Sequence, residues 1–138
     1  MKLLILEDDS SLAALTANLL YSLDRKAQHL EAITLVSDLE TTILCLPEHD
    51  MVLCDGRFPL VPHSCQMVED WDVIRQEANR RGIHFVLYSG SARALDHARA
   101  SGTPAIKPAA IAEIYAALMS FPHSVMSRGY GESTLMTE

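Results

Sequence analysis

Short apolar runs alternate with longer stretches of helical period along the chain, and several of the runs stop abruptly at polar residues. Leu3-Leu4-Ile5-Leu6 predicts a buried first strand over Lys2 to Leu6, and it runs directly into Glu7-Asp8-Asp9. From Ser10, Leu12, Leu15, Leu19 and Leu23 recur at spacings that form one apolar stripe on a first helix, with Asp9 or Ser10 as its cap. A second strand over Ala32 to Val36 precedes a short helix from Asp38 to Leu46 that Pro47 closes. Met51-Val52-Leu53-Cys54 predicts a third strand, ending at Asp55.

The prolines of Phe58-Pro59-Leu60-Val61-Pro62-His63-Ser64 exclude a continuing central strand, so the chain must loop there. Ser64 can cap a third helix with Met67, Trp71, Ile74 and Ala78 on one face, ending at Arg80-Arg81-Gly82, which makes Trp71 a core residue. A fourth strand over Ile83 to Tyr88 stops at Ser89, and a small fourth helix covers Ala92 to Ala100. A fifth strand over Thr103 to Ile106 stops at Lys107-Pro108. Ile111, Ile114, Tyr115, Leu118 and Met119 mark a fifth helix. After Phe121-Pro122 the periodicity ends, so residues 1–121 are expected to form one domain and 122–138 a disordered tail.

Five βα units predict an α/β domain: a parallel sheet with helices on both faces. In an open parallel sheet the C-terminal strand ends share one edge, where such folds bind ligands. Here that edge would collect Glu7, Asp8, Asp55, Ser89 and Lys107.

At 138 residues, 49% hydrophobic and 21% charged, the chain suits a single soluble domain. A formal net charge of -7, with no basic patch, argues against direct nucleic-acid binding, because phosphates must be neutralised by Lys and Arg. Cys45, Cys54 and Cys65 are an odd set without a CxxC spacing, which predicts reduced, mostly buried thiols. The opening apolar run is too short for a signal peptide or a membrane span, so a cytoplasmic location without membrane contact is expected. The six glycines are scattered and make no phosphate loop, and the histidines have no metal-ligand spacing.

Carboxylates crowded at one edge repel, costing about 4 kcal/mol per pair at ~4 Å and an effective dielectric near 20. A hard divalent cation relieves that cost. Mg2+ takes octahedral oxygen coordination, often from one or two carboxylates, waters and a phosphate oxygen. With metal and a cation neutralising the charge, an aspartate can attack phosphorus and form an aspartyl-phosphate. Each residue alone has a plainer explanation: Asp8, Asp9 and Asp55 could cap helices or line turns, Ser89 could be a satisfied hydroxyl, and Lys107-Pro108 a turn. Their joint occurrence at four strand ends favours the site.

The set Glu7-Asp8, Asp55, Ser89 and Lys107-Pro108, with Asp50-Met51-Val52-Leu53-Cys54-Asp55 followed by Pro59, resembles the receiver domain of two-component response regulators over residues 1–121. The resemblance implies a flavodoxin-like (βα)5 doubly wound sandwich with strand order 2-1-3-4-5. It implies that Asp55 is the phosphoacceptor, with Ser89 and Lys107 contacting the phosphoryl group. Asp8 and Asp55 would hold Mg2+ directly, Glu7 through water, and the backbone carbonyl of Arg57 would complete the protein ligands. Gly90 would leave room for phosphoryl access, and Lys107-Pro108 would be a cis peptide. The implied function is to accept a phosphoryl group from a sensor histidine kinase or histidine phosphotransfer protein and signal to a downstream protein. The chain would then be no enzyme beyond its own Mg2+-dependent phosphorylation and dephosphorylation.

Pro104 stands where many receivers carry an aromatic residue, the segment from Ser89 to Lys107 is short, and that from Asp55 to Ser89 is extended. These departures leave a second reading open, a receiver-like interaction module with impaired or no phospho-switching. A haloacid dehalogenase-type phosphatase ranks last, because Arg57 occupies the place of its second acid. Arg57 is also placed to hold a phosphoryl group or block water.

Overall fold

The structure is a computed structural model and describes residues 1–120. Five parallel strands form the central sheet: β1 (Lys2–Leu6), β2 (Ala32–Val36), β3 (Met51–Asp55), β6 (His84–Tyr88) and β7 (Ala105–Ile106), in the order β2-β1-β3-β6-β7. β4 (Phe58–Pro59) and β5 (Met67–Val68) make a separate two-stranded antiparallel sheet. The helices are α1 (Ser10–Asp24), α2 (Leu39–Cys45) followed by a 3-10 turn over Leu46–Glu48, α3 (Trp71–Arg80), α4 (Ala92–Ala100) and α5 (Ile111–Met119). With β6 and β7 counted as the fourth and fifth strands of the main sheet, the order is the expected 2-1-3-4-5. The tail expected over 122–138 lies outside the described residues.

The strands alternate between two cores because successive side chains point to opposite faces. Leu4, Leu6, Val52, Cys54, Phe85 and Leu87 join Trp71, Ile74, Leu95 and Ala98 on the face covered by α2, α3 and α4. Leu3, Ile5, Met51, Leu53, Val86 and Tyr88 join Ala17, Leu20, Ile114 and Leu118 under α1 and α5. Each fully buried aliphatic side chain contributes about 1.5–3 kcal/mol relative to its exposed state. Trp71 is core as expected, 6.4 Å from the Phe85 ring and edge-on to His97 at 5.4 Å.

Three local expectations are corrected. The predicted stripe on α1 is not the buried one: Leu15, Leu19 and Leu23 are 54%, 40% and 44% exposed, while Ala13, Thr16, Ala17, Leu20 and Asp24 face inward. Ala13 and Ala17 let α1 lie close to the sheet and α5. The Asp24 carboxylate also acts inward, accepting from the backbone N–H of His29 (3.1 Å) and Leu30 (2.8 Å) and from the Tyr115 hydroxyl (2.7 Å). The proline-rich loop is the β4–β5 hairpin, whose pairing Phe58↔Val68 draws Met67 out of the third helix. That helix therefore starts at Trp71 with Asp70 at its N-cap, and Ser64 instead accepts from the Gln66 amide. The Lys107-Pro108 peptide is trans, the ordinary geometry for an X-Pro bond. Cys54 is buried and Cys45 half-buried, but Cys65 is exposed on the hairpin.

Burial alone would raise the Asp24 pKa, but the hydrogen bonds from Leu30, Tyr115 and His29 outweigh it and hold the carboxyl below its ordinary value. Its contribution to stability is thus present above the unfolded pKa and lost as pH falls through the lower folded one. Tyr115→Phe should cost about 1 kcal/mol and Asp24→Ala about 2–3 kcal/mol in urea unfolding at neutral pH. The Asp24→Ala deficit should shrink below about pH 4.

Candidate functional site

The sheet register builds the site. Leu6 pairs with Cys54, so Glu7 and Asp55 are the next residues on adjacent strands. Asp55 in turn pairs with Tyr88, and the Ser89 amide donates to the Ile106 carbonyl at 3.1 Å, one residue before Lys107. Thus Glu7, Asp8, Asp55, Ser89 and Lys107 all emerge at the C-terminal edge of the sheet. Carboxylate oxygens of Glu7, Asp8 and Asp55 lie within 4.8 Å of one another. Asp9, the last of the acid run, does another job: it caps α1, accepting from the Ser11 and Leu12 amides at 3.0 and 3.1 Å.

Glu7 is nearly enclosed. Its Oε1 accepts from the Tyr88 hydroxyl at 2.8 Å and its Oε2 from the Asp9 amide at 3.1 Å. Burial raises its pKa, with the Asp9 amide and the Tyr88 hydroxyl offsetting part of the rise. Tyr88 is a site residue that the sequence reading missed; it is the last residue of the apolar strand β6, and no spacing ties it to Glu7. The phenol is itself pushed upward, by burial first and then by Glu7.

Asp55 accepts from the Gly56 amide at 2.6 Å. Burial, followed by the charge of Glu7, pushes its pKa up to about 7 from an ordinary 3.8. Ser89 is buried, and its Oγ accepts from the Ser91 amide at 3.0 Å, which joins it to the first turn of α4. Lys107 is exposed and makes no ion pair with the acids among the described residues, so it stands at the site without neutralising it. Arg57 is exposed on the loop after β3, also without an ion pair among the described residues. The three close carboxylates, with no ion pair to Lys107 or Arg57 among the described residues, offer oxygen ligands of the kind a hard divalent cation takes.

No protein-family model and no curated protein matches the sequence. Solved structures do match. The signal receiver domain of a modulated diguanylate cyclase from Desulfovibrio desulfuricans G20 superposes with a TM-score of 0.65 at 18% identity, covering 91% of this chain and 95% of that one. A DNA-binding response regulator of the LuxR family from Staphylococcus aureus gives 0.59 at 16% identity, covering 87% and 97%. A de novo designed Rossmann 2x3 protein also gives 0.59, at 14% identity, covering 87% of each chain. The chain therefore has the fold of response regulator receiver domains. The designed match shows that this architecture alone carries no function, so function must be argued from the site.

The raised pKa of Asp55 has a definite sign. The folded state binds more protons than the unfolded one between about pH 4 and about pH 7, so stability from this group falls as pH rises through that window. In EDTA, the wild type should lose stability between about pH 4 and pH 7, and Asp55→Asn should flatten that loss. At about pH 8 the variant should be more stable by ~1–3 kcal/mol in urea unfolding.

Proposed function

We propose that the chain is a response regulator receiver that accepts a phosphoryl group on Asp55 from a sensor histidine kinase or histidine phosphotransfer protein, and signals through phosphorylation-dependent protein contacts. The observation that carries this reading is the convergence of Glu7, Asp8, Asp55, Ser89 and Lys107 at one sheet edge, from the ends of four strands. One Asp55 oxygen attacks phosphorus, the bond from phosphorus to the donor's histidine nitrogen breaks, and the imidazole leaves with a proton from solvent. Asp8, Asp55 and the Arg57 carbonyl would hold Mg2+ directly and Glu7 through water, and the bound ion would supply positive charge against the phosphoryl oxygens.

The protein's own groups do the rest. Tyr88 and the Asp9 amide hold Glu7 in place, so its charge faces the cluster without swinging into the path of the donor. Lys107, exposed and at the end of β7, is free to reach the phosphoryl oxygens once they arrive. Ser89 offers a hydroxyl to the same group and connects it to α4. Signalling of this kind makes the domain no classical enzyme: its one reaction is on itself. Among the described residues no helix is long and apolar enough to cross a membrane. A cytoplasmic location accords with such a donor.

Pro104 favours a second reading, a receiver-like interaction module without phospho-switching, because no aromatic residue three positions before Lys107 can report on Ser89. One experiment separates the two. Incubation with Mg2+ and acetyl phosphate should give a phosphate-sized gain in intact mass that disappears in EDTA and in Asp55→Asn. A folded protein that gains nothing from acetyl phosphate, nor from a panel of phosphorylated histidine phosphotransfer proteins, would support the interaction module. In the phosphorylated protein, Arg57→Ala should shorten the acyl-phosphate half-life several-fold, because a guanidinium beside the phosphoryl group both pairs with its oxygens and screens it from water. Equal half-lives would remove Arg57 from the site.

A further inference from the structure

The residue after Asp55 is a glycine, and its backbone does not require one: Gly82 and Gly102 have positive φ, Gly56 does not. Space requires it. A Cβ at position 56 would lie 2.7 Å from Ser89 Oγ, 3.1 Å from Ser89 Cβ and 3.8 Å from Ala94 Cβ. At Gly90, where access for a phosphoryl group would suggest a need for glycine, an added Cβ meets nothing within 4 Å. We infer that Gly56 is a positioning residue: the volume its side chain would fill is a socket for the Ser89 hydroxyl, which couples the phosphoacceptor loop to the start of α4.

Two more contacts extend the coupling. In the socket, Ser89 Oγ accepts from the Ser91 amide at 3.0 Å, and Ser91 Oγ in turn accepts from the Ala94 amide at 3.2 Å as the N-cap of α4. The methyl group of Ala94 is in ordinary van der Waals contact with the same space. On one wall, Gly56 directly follows β3, which is paired with β1 through Cys54 and with β6 through Asp55, so the backbone there has little room to retreat. The Ser89 hydroxyl on the other wall is a one-bond rotor and can retreat. A methyl group at position 56 therefore expels the hydroxyl and strips the Ser91 amide of its acceptor, loosening α4 before any phosphoryl group is present. Part of this rests on the phosphoacceptor reading above: if Ser89 leaves the socket to engage a phosphoryl group on Asp55, the same release at α4 is the signal, and Gly56 sets its resting state.

The test is a double-mutant cycle of wild type, Gly56→Ala, Ser89→Gly and the double variant, followed by urea unfolding and by hydrogen exchange at residues 91–95, with and without Mg2+ and acetyl phosphate. In the unphosphorylated protein, Gly56→Ala should lower stability and speed exchange of the α4 first turn about tenfold. In the Ser89→Gly background the same substitution should cost nothing further. Phosphorylation should speed exchange there in wild type and add little in Gly56→Ala. Equal costs in both backgrounds, or unchanged exchange in Gly56→Ala, would overturn the socket. If Gly56→Ala does not fold, the double variant must recover folding, and its failure to do so counts equally against the socket. A wild type that takes up no phosphate would defeat the phosphoacceptor reading, while the cycle on unphosphorylated protein still decides the socket.

Discussion

Everything at the site depends on the register of β1 against β3. Pairing Leu6 with Cys54 leaves Glu7 and Asp55 as neighbours where the strands end, and like charges so placed cannot both ionise cheaply. The cost is visible in Asp55, pushed up to about 7 by burial and by Glu7. A slip of one residue would exchange the two buried faces of the sheet and move the acids apart. The register is held from both sides, because each face packs a different set of helices: α2, α3 and α4 on one, α1 and α5 on the other. The fold thus stores a repulsion at one edge that a divalent cation or a proton relieves.

The rest of the site is arranged around that repulsion. Tyr88 donates to Glu7 and keeps one acid fixed. Lys107 stays exposed at the same edge and makes no ion pair with the acids among the described residues. Ser89 is held back by the Ser91 amide over Gly56. A designed protein shares the architecture, so none of this chemistry follows from the sheet and helices alone. It follows from which side chains stand at the strand ends.

Much of this was readable along the chain, because strands and their ends are local. Leu3 to Leu6 running into Glu7-Asp8-Asp9, and Met51 to Cys54 running into Asp55, announce buried strands with acidic mouths. Alternation with helical stretches then puts those mouths on one edge of a parallel sheet. The acids, Ser89 and Lys107 could therefore be named from position and residue type. What escaped was of a different kind. The leucine stripe of α1 has the correct period but faces outward, since the helix carries a second apolar arc through Ala13, Ala17 and Leu20. The choice between them depends on how closely α1 lies to the sheet and on Asp24 reaching Leu30 and Tyr115.

The same reason explains the β4–β5 hairpin, where prolines marked an interruption but could not say that Phe58 would pair with Val68. It explains Tyr88 and Glu7, which meet across 81 positions of sequence. It also explains Gly56, whose missing side chain matters because Ser89, more than thirty residues on, rests in the space. Periodicity and residue type are properties of neighbours in the chain. They specify the strands, the acid mouths and the class of fold. Which helix face is buried, which hydroxyl reaches which carboxylate, and which glycine cannot bear a methyl group are set by distances between elements, and those exist only once the two cores have closed on the sheet.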